Sequence, residues 1–324
     1  MNKFILVLIL ALVACKIDFD ALVFKHFQKF IKKYNKNYQS INEFLARYEV
    51  FKTNIMKAFK EEKKYRTGIT KFSDLSKEEF AKAYFKLNYN RLAFSNLKPT
   101  KIEVTNDAPD SWDWRDQGVV SVRELDSCNP VIYFSTIDNL QALYAINKGS
   151  LTPLSAQMLL DCDVGGSACT GGLIDEAYNW LVENGGGLMT EADYPYEGTQ
   201  GTCRYDSSKD IDMRVTGYDY YYLETEDKIK EVLYETGPLY GAINADPLQT
   251  YTGGIIDLDE SQCPASGINY PTLLVGYGNE DGKDYWICMN YWGPDWGENG
   301  FYRIVRGKNC CGISTIVLTG KVSF

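Results

Sequence analysis

Eight cysteines fall between Cys128 and Cys311 of this 324-residue chain, and a ninth, Cys15, closes an apolar leader. This usage constrains the fold more than any other feature, because that many thiols suit a disulfide-permissive compartment. The cysteines are too widely spaced for a small disulfide scaffold, so a hydrophobic core has to carry most of the stability. Apolar residues, 45% of the chain, suffice for one. At roughly 100–200 residues per domain, the length admits two domains or one larger two-part domain. Bulk disorder, collagen and a polytopic membrane protein are excluded. His26 is the only histidine, which limits the chemistry, since imidazole is the commonest general base and metal ligand. No Cys/His spacing resembles a zinc site, and neither metal nor cofactor is indicated. The spacing leaves the cysteine pairing open.

Residues 1–15 read as a signal peptide: Lys3, an apolar run from Phe4 to Ala14, then charged chain from Lys16. Leu12-Val13-Ala14-Cys15 also resembles a bacterial lipoprotein box with Cys15 as the lipidated residue. The run is too short to span a bilayer, and no later stretch approaches the roughly 20 apolar residues of a membrane helix. No membrane span is predicted.

Charge divides the remainder. Residues 1–106 hold 21 Lys and Arg against 10 Asp and Glu, a net of +11, whereas residues 107–324 hold 13 against 33, a net of −20. A basic helical surface beside an acidic domain would give this pattern, and so would two parts of one chain that attract each other, an attraction that should weaken as carboxylates protonate in acid. Acidic residues interleave with the basic ones and no DNA- or RNA-reading motif is present, so a nucleic-acid partner is not predicted.

The basic part reads as helical. Phe24, Phe27, Phe30, Ile31 and Tyr34 recur at helical spacing. A second helix is predicted from about Ile41 to Lys64, with Glu43, Arg47, Phe51, Asn54 and Ala58 near one face. Ser76 and Glu79 form a capping box that starts a third. Residues 92–108 read as an extended, cleavable linker. Glu43, Arg47, Phe51 and Asn54, followed by Gly68, Phe72 and Asp74, resemble the two motifs of papain-type propeptides. Thr70–Leu75 looks most like the cathepsin F and L types.

From residue 108 the resemblance to papain-like cysteine proteases covers almost every position. It rests on Trp112-Asp113-Trp114-Arg115, Leu154-Ser155-Ala156-Gln157, Cys169-Thr170-Gly171-Gly172, Asp193-Tyr194-Pro195-Tyr196, Leu273–Gly278 and Trp296-Gly297-Glu298-Asn299-Gly300. The resemblance implies an inhibitory propeptide over 16–106 and a peptidase-like domain over 107–324. It implies an α+β, papain-like fold in which a helical subdomain, its central helix starting near Val131, faces an antiparallel, barrel-like sheet built after about residue 215. The pairs Cys128–Cys169, Cys162–Cys203 and Cys263–Cys311 are implied too, with Cys288 and Cys310 left over.

Catalysis in that family needs a cysteine thiolate, a histidine, an asparagine that orients it and a glutamine that stabilises the oxyanion. Where the family pattern reads Gln-Gly-x-Cys-Gly-Ser-Cys-Trp-Ala-Phe-Ser, this chain reads Leu125-Asp126-Ser127-Cys128-Asn129-Pro130-Val131-Ile132-Tyr133-Phe134-Ser135. Phe134 and Ser135 fix the register, so Val131 takes the nucleophile position and Leu125 the oxyanion position. Tyr270 takes the base position, where a phenol with an ordinary pKa near 10 is a poor base. Asn290 keeps the orienting position. The implied product is a non-catalytic homologue, in the secretory pathway and bound for a lysosome-like compartment or the extracellular space, and monomeric. Its cleft, lined by Leu125, Asp126, Val131, Ile132, Tyr270 and Trp292, would hold its own propeptide or an extended peptide or protein ligand. Two alternatives stand beside this: an active hydrolase working through Cys128, Ser127 or Tyr270 with Asp126, and a storage or structural protein.

Overall fold

The computed structural model describes residues 19–60, 65–87, 99–102, 107–125, 128–163, 169 and 171–324. The leader, Asp126, Ser127, and residues 92–98 and 103–106 of the expected linker lie outside them.

The N-terminal region begins with two helices, α1 (residues 19–33) and α2 (Ile41–Lys60). The described part of α2 reaches Lys60, and residues 61–64, the rest of the expected helix, lie outside the described residues. The aromatic stripe of α1 packs on α2: Phe27 meets Phe44 and Phe51 at 5.3 and 5.1 Å between ring centroids, and Phe30 meets Phe51 at 5.0 Å. Such pairs add about 0.5–1.5 kcal/mol each beyond the area they bury. The polar face of α2 grips the chain that follows. Arg47 donates to the Asp74 carbonyl and to Glu79, and Asn54 donates to the carbonyls of Ser73 and Leu75. After the short strand β1 (Arg66–Thr67) comes α3 (Lys77–Tyr84), which opens with the expected capping box between Ser76 and Glu79.

The acidic part begins with β2 (Trp112–Asp113), followed by α4 (Val131–Lys148), α5 (Ala156–Cys162) and α6 (Glu176–Glu183). Helix α4 is apolar around most of its surface, as a helix at the centre of a core should be. It starts at Val131 after Pro130 and ends on Gly149, whose left-handed φ of 76° lets its N–H cap the Ala145 carbonyl. Three disulfides close in this part: Cys128–Cys169, Cys162–Cys203 and Cys263–Cys311.

Next come β3 (Arg214–Tyr222), α7 (Glu226–Thr236), β4 (Leu239–Ile243), β5 (Tyr251–Gly253), β6 (Ile255–Ile256), β7 (Tyr270–Glu280), β8 (Lys283–Met289), β9 (Phe301–Val305) and β10 (Ile316–Ser323). The large sheet runs β3-β10-β4-β7-β8-β9-β6, with β2 added against β7. Its pairs are antiparallel except at one edge, where β6 runs parallel to β9. The sheet is otherwise the antiparallel one expected. Only Ile255 and Ile256 of β6 pair there, with Arg303 and Ile304.

The main core includes Tyr65, Phe72, Phe80 and Leu87 of the N-terminal region. Strand β1 pairs with β5, and the Gly68 N–H continues the contact to the Thr250 carbonyl at 2.9 Å. Ion pairs Lys71–Glu124 and Arg66–Glu298 also cross the joint. The opposite charges of the two halves thus meet at few points, and rings and neutral hydrogen bonds make most of the described contact. No described helix is long and apolar enough to cross a membrane.

Candidate functional site

The site lies where the start of α4 faces the start of β7. Cys128, bonded to Cys169, anchors the approach, and Val131 is fully buried in the first turn of α4. Ile132 follows it and is also buried. The Leu125 backbone donates to the Tyr291 carbonyl at 2.8 Å, and the Gly293 N–H donates to the Arg123 carbonyl at 3.2 Å. These bonds tie the segment before the helix to the segment after β8. Leu125, Val131, Ile132, Tyr270, Asn290 and Trp292 are all buried. The expected apolar cleft is therefore filled, not open, in this state.

Val131 and Leu125 carry no heteroatom in their side chains. Burial pushes the Tyr270 phenol well above its ordinary pKa, which nearby donors from Tyr291 and Trp292 only partly offset. Its hydroxyl makes no hydrogen bond of good geometry. Asn290 is fully buried; its Oδ1 accepts from the Tyr291 N–H at 2.7 Å and its Nδ2 has no partner among the described residues. Cys128, one of the alternative nucleophiles, is consumed in its disulfide. The remaining thiols among the described residues, Cys288 and Cys310, are buried and held above the usual thiol pKa by that burial. His26 lies exposed on α1. Among the described residues no group of three or more His, Cys, Asp or Glu is placed to hold a metal ion.

The occupant is the end of α3 and the residues that follow. The Gly172 N–H donates to the Lys86 carbonyl at 3.0 Å, and the Leu87 N–H donates to the Asn269 carbonyl at 3.2 Å. Leu87 and Gly172 form a parallel bridge. A Cβ at Gly171 would stand 1.8 Å from the Lys86 carbonyl oxygen, so only glycine admits the strand there. The Asn129 Nδ2 donates to the Ala83 carbonyl at 2.8 Å. Above the cleft, Trp292 receives the rings of Phe72, Phe80 and Tyr84 at 4.9, 5.4 and 5.7 Å, with Tyr270 on its other side at 5.2 Å. Gln249 donates to the Leu75 carbonyl, and Thr70 donates to the Gln249 carbonyl.

Asn129, Gly171, Asn269 and Gln249 are contact residues that the sequence reading did not assign to the cleft. The asparagine in place of the pattern's glycine was a visible signal for the first. Gly171 stood in a quoted motif without a role. Nothing local marks Asn269 or Gln249, which meet partners far away in the chain.

A buried network holds the base of α4. Arg123 donates to Asp138 at 2.8 Å, to Glu191 at 3.0 Å, and to Gln141 and the Leu154 carbonyl. Burial raises the Asp138 carboxyl, and Arg123 opposes that shift. Lysine cannot reproduce this planar fork. Arg123→Lys is expected to lower unfolding stability by about 2 kcal/mol, the loss of one or two hydrogen bonds to charged groups. Urea titration checks it, and a midpoint unchanged from the parent contradicts it.

Comparison with known proteins follows this geometry. A family model described as papain family cysteine protease matches residues 108–320, and one described as cathepsin propeptide inhibitor domain (I29) matches residues 27–80. The chain is 36% identical to a viral cathepsin of Choristoneura fumiferana defective polyhedrosis virus, over 97% of both chains. It is 37% identical to cathepsin F of Mus musculus, over 94% of this chain and 66% of that one. Among solved structures it resembles digestive procathepsin L 3 of Tenebrio molitor larval midgut, with TM-score 0.79 and 33% identity over 92% of this chain and 99% of that one. It also resembles a recombinant stem bromelain precursor, with TM-score 0.80 and 29% identity over 92% and 98%.

Proposed function

The chain belongs to the papain family of cysteine proteases, and from that premise we propose that it is a member without peptidase activity, whose cleft binds an extended peptide and does not cut it. The observation that carries the reading is the pair Val131 and Tyr270, an aliphatic side chain at the start of α4 and a buried phenol at the start of β7. Thiol attack on a carbonyl needs a thiolate and a proton acceptor, and neither group is offered there. The bound peptide in this state is the chain's own segment 83–87, part of a prosegment proposed to span 16–106.

Without self-cleavage, removal of that segment falls to another protease acting between it and the domain proposed to begin at 107. The three disulfides support a secretory route ending in a lysosome-like compartment or outside the cell. The test is a broad fluorogenic peptide library, offered to the full chain and to chain trimmed by an added protease that is then inhibited. No turnover and no labelling by a thiol-directed peptide inhibitor are expected. Turnover that disappears on thiol alkylation overturns the reading.

A further inference from the structure

We propose that Asn129 is the residue that reads peptide backbone in this cleft, its side-chain amide taking the place of a bare glycine. The inference rests on the peptide-binding reading and names its determinant. Three observations carry it. Asn129 is buried, 3% exposed, and sits against segment 83–87. Its Nδ2 donates to the Ala83 carbonyl at 2.8 Å and lies 3.4 Å from the Tyr84 carbonyl. Its Oδ1 is buried and has no partner among the described residues.

A carboxamide matches the peptide group, with one donor and one acceptor side by side. The donor is engaged by the prosegment, whereas the acceptor is left over, and a buried acceptor without a partner is destabilising. The prosegment therefore does not use the whole recognition surface. A ligand that does so has to bring its own N–H. The ligand class is thus an extended peptide that presents a carbonyl to Nδ2 and a neighbouring N–H to Oδ1. Its chain would also take the Gly172 N–H and the Asn269 carbonyl, which the Lys86 carbonyl and the Leu87 N–H occupy here. Side-chain identity enters through the aromatic wall of Tyr270 and Trp292, against which Phe85 and Tyr84 lie.

The backbone of Asn129 gives the proposal a clean test. Its φ is 54°, in the left-handed region. Glycine adopts that conformation freely and aspartate tolerates it, so Asn129→Gly removes the amide without straining the loop. Asn129→Asp keeps the shape and replaces the donor by a charged acceptor facing two carbonyls. Hydrogen exchange is measured on the full chain at neutral pH, at the amides of Leu87 and Gly172. Exchange at these two sites is expected about tenfold faster in Asn129→Gly and faster still in Asn129→Asp. Amides of the β8 strand and the thermal midpoint should stay near the parent's values. Unchanged exchange in both variants overturns the proposal, as does an Asn129→Asp variant protected as well as the parent. A general loss of protection, β8 included, assigns Asn129 to the fold and also overturns it. None of these outcomes depends on whether the chain cuts peptides, so this test and the turnover assay fail separately.

Discussion

Val131→Cys alone is expected to leave the chain without measurable peptidase activity, whereas Val131→Cys with Tyr270→His should produce turnover, and adding Leu125→Gln should raise it about 10²–10³-fold. The scaffold around these positions is intact. Residue 131 opens α4, where the unpaired N–H groups of the first turn favour a thiolate. A thiol there still lacks a proton acceptor, and general base catalysis contributes about 10²–10⁴-fold. The Tyr270 phenol cannot supply it, because its burial keeps the proton on oxygen. An imidazole at 270 can, with the buried amide of Asn290 available to orient it. The backbone of residue 125 is already fixed by its bond to the Tyr291 carbonyl, so a glutamine there starts from a held position. The assay follows trimming by an added protease, since segment 83–87 otherwise fills the cleft. A triple variant that folds, is trimmed and remains inert would show that these positions do not converge as assigned.

Trp292→Ala should destabilise the full chain by about 3–5 kcal/mol, the usual cost of deleting a large buried aromatic, and should also loosen the prosegment. Trp292 is 1% exposed, and besides the three prosegment rings it meets Tyr270 and Trp296, the latter at 4.9 Å. Deleting it removes core on one side and the landing platform for α3 on the other. Urea unfolding reads the first effect, and the rate at which an added protease nicks the N-terminal region reads the second. Trp292→Phe keeps an aromatic face and should recover most of both. A loss below about 1 kcal/mol would mean that the surrounding rings close over the gap, which a close-packed interior seldom allows.

Local signals carried much of the architecture into the sequence. The Ser76–Glu79 cap and the aromatic stripe of α1 each show in residues three or four positions apart, whereas the start of α4 at Val131 came through the family resemblance. What was illegible depends on distant partners. Asn129 meets Ala83, and Gln249 meets Leu75, across long stretches of chain. Asp138, on a helix buried nearly all round, takes its charge partner from Arg123, outside that helix. The charge division between the halves was plain, but charge totals do not say which side chains touch. The joint proved to be made mainly of rings and amides, and this should leave it less sensitive to acid than the totals imply.

Strand β5 has β1 as its ladder partner, and β1 belongs to the prosegment. Excision of that segment strips the ladder from one side of Tyr251–Gly253 and bares a row of backbone donors and acceptors. Such an edge is a template for strand addition by whatever extended chain is nearby. Trimming this protein would therefore create adhesiveness as well as a vacant groove, and self-association of the shortened form would follow from the same cut.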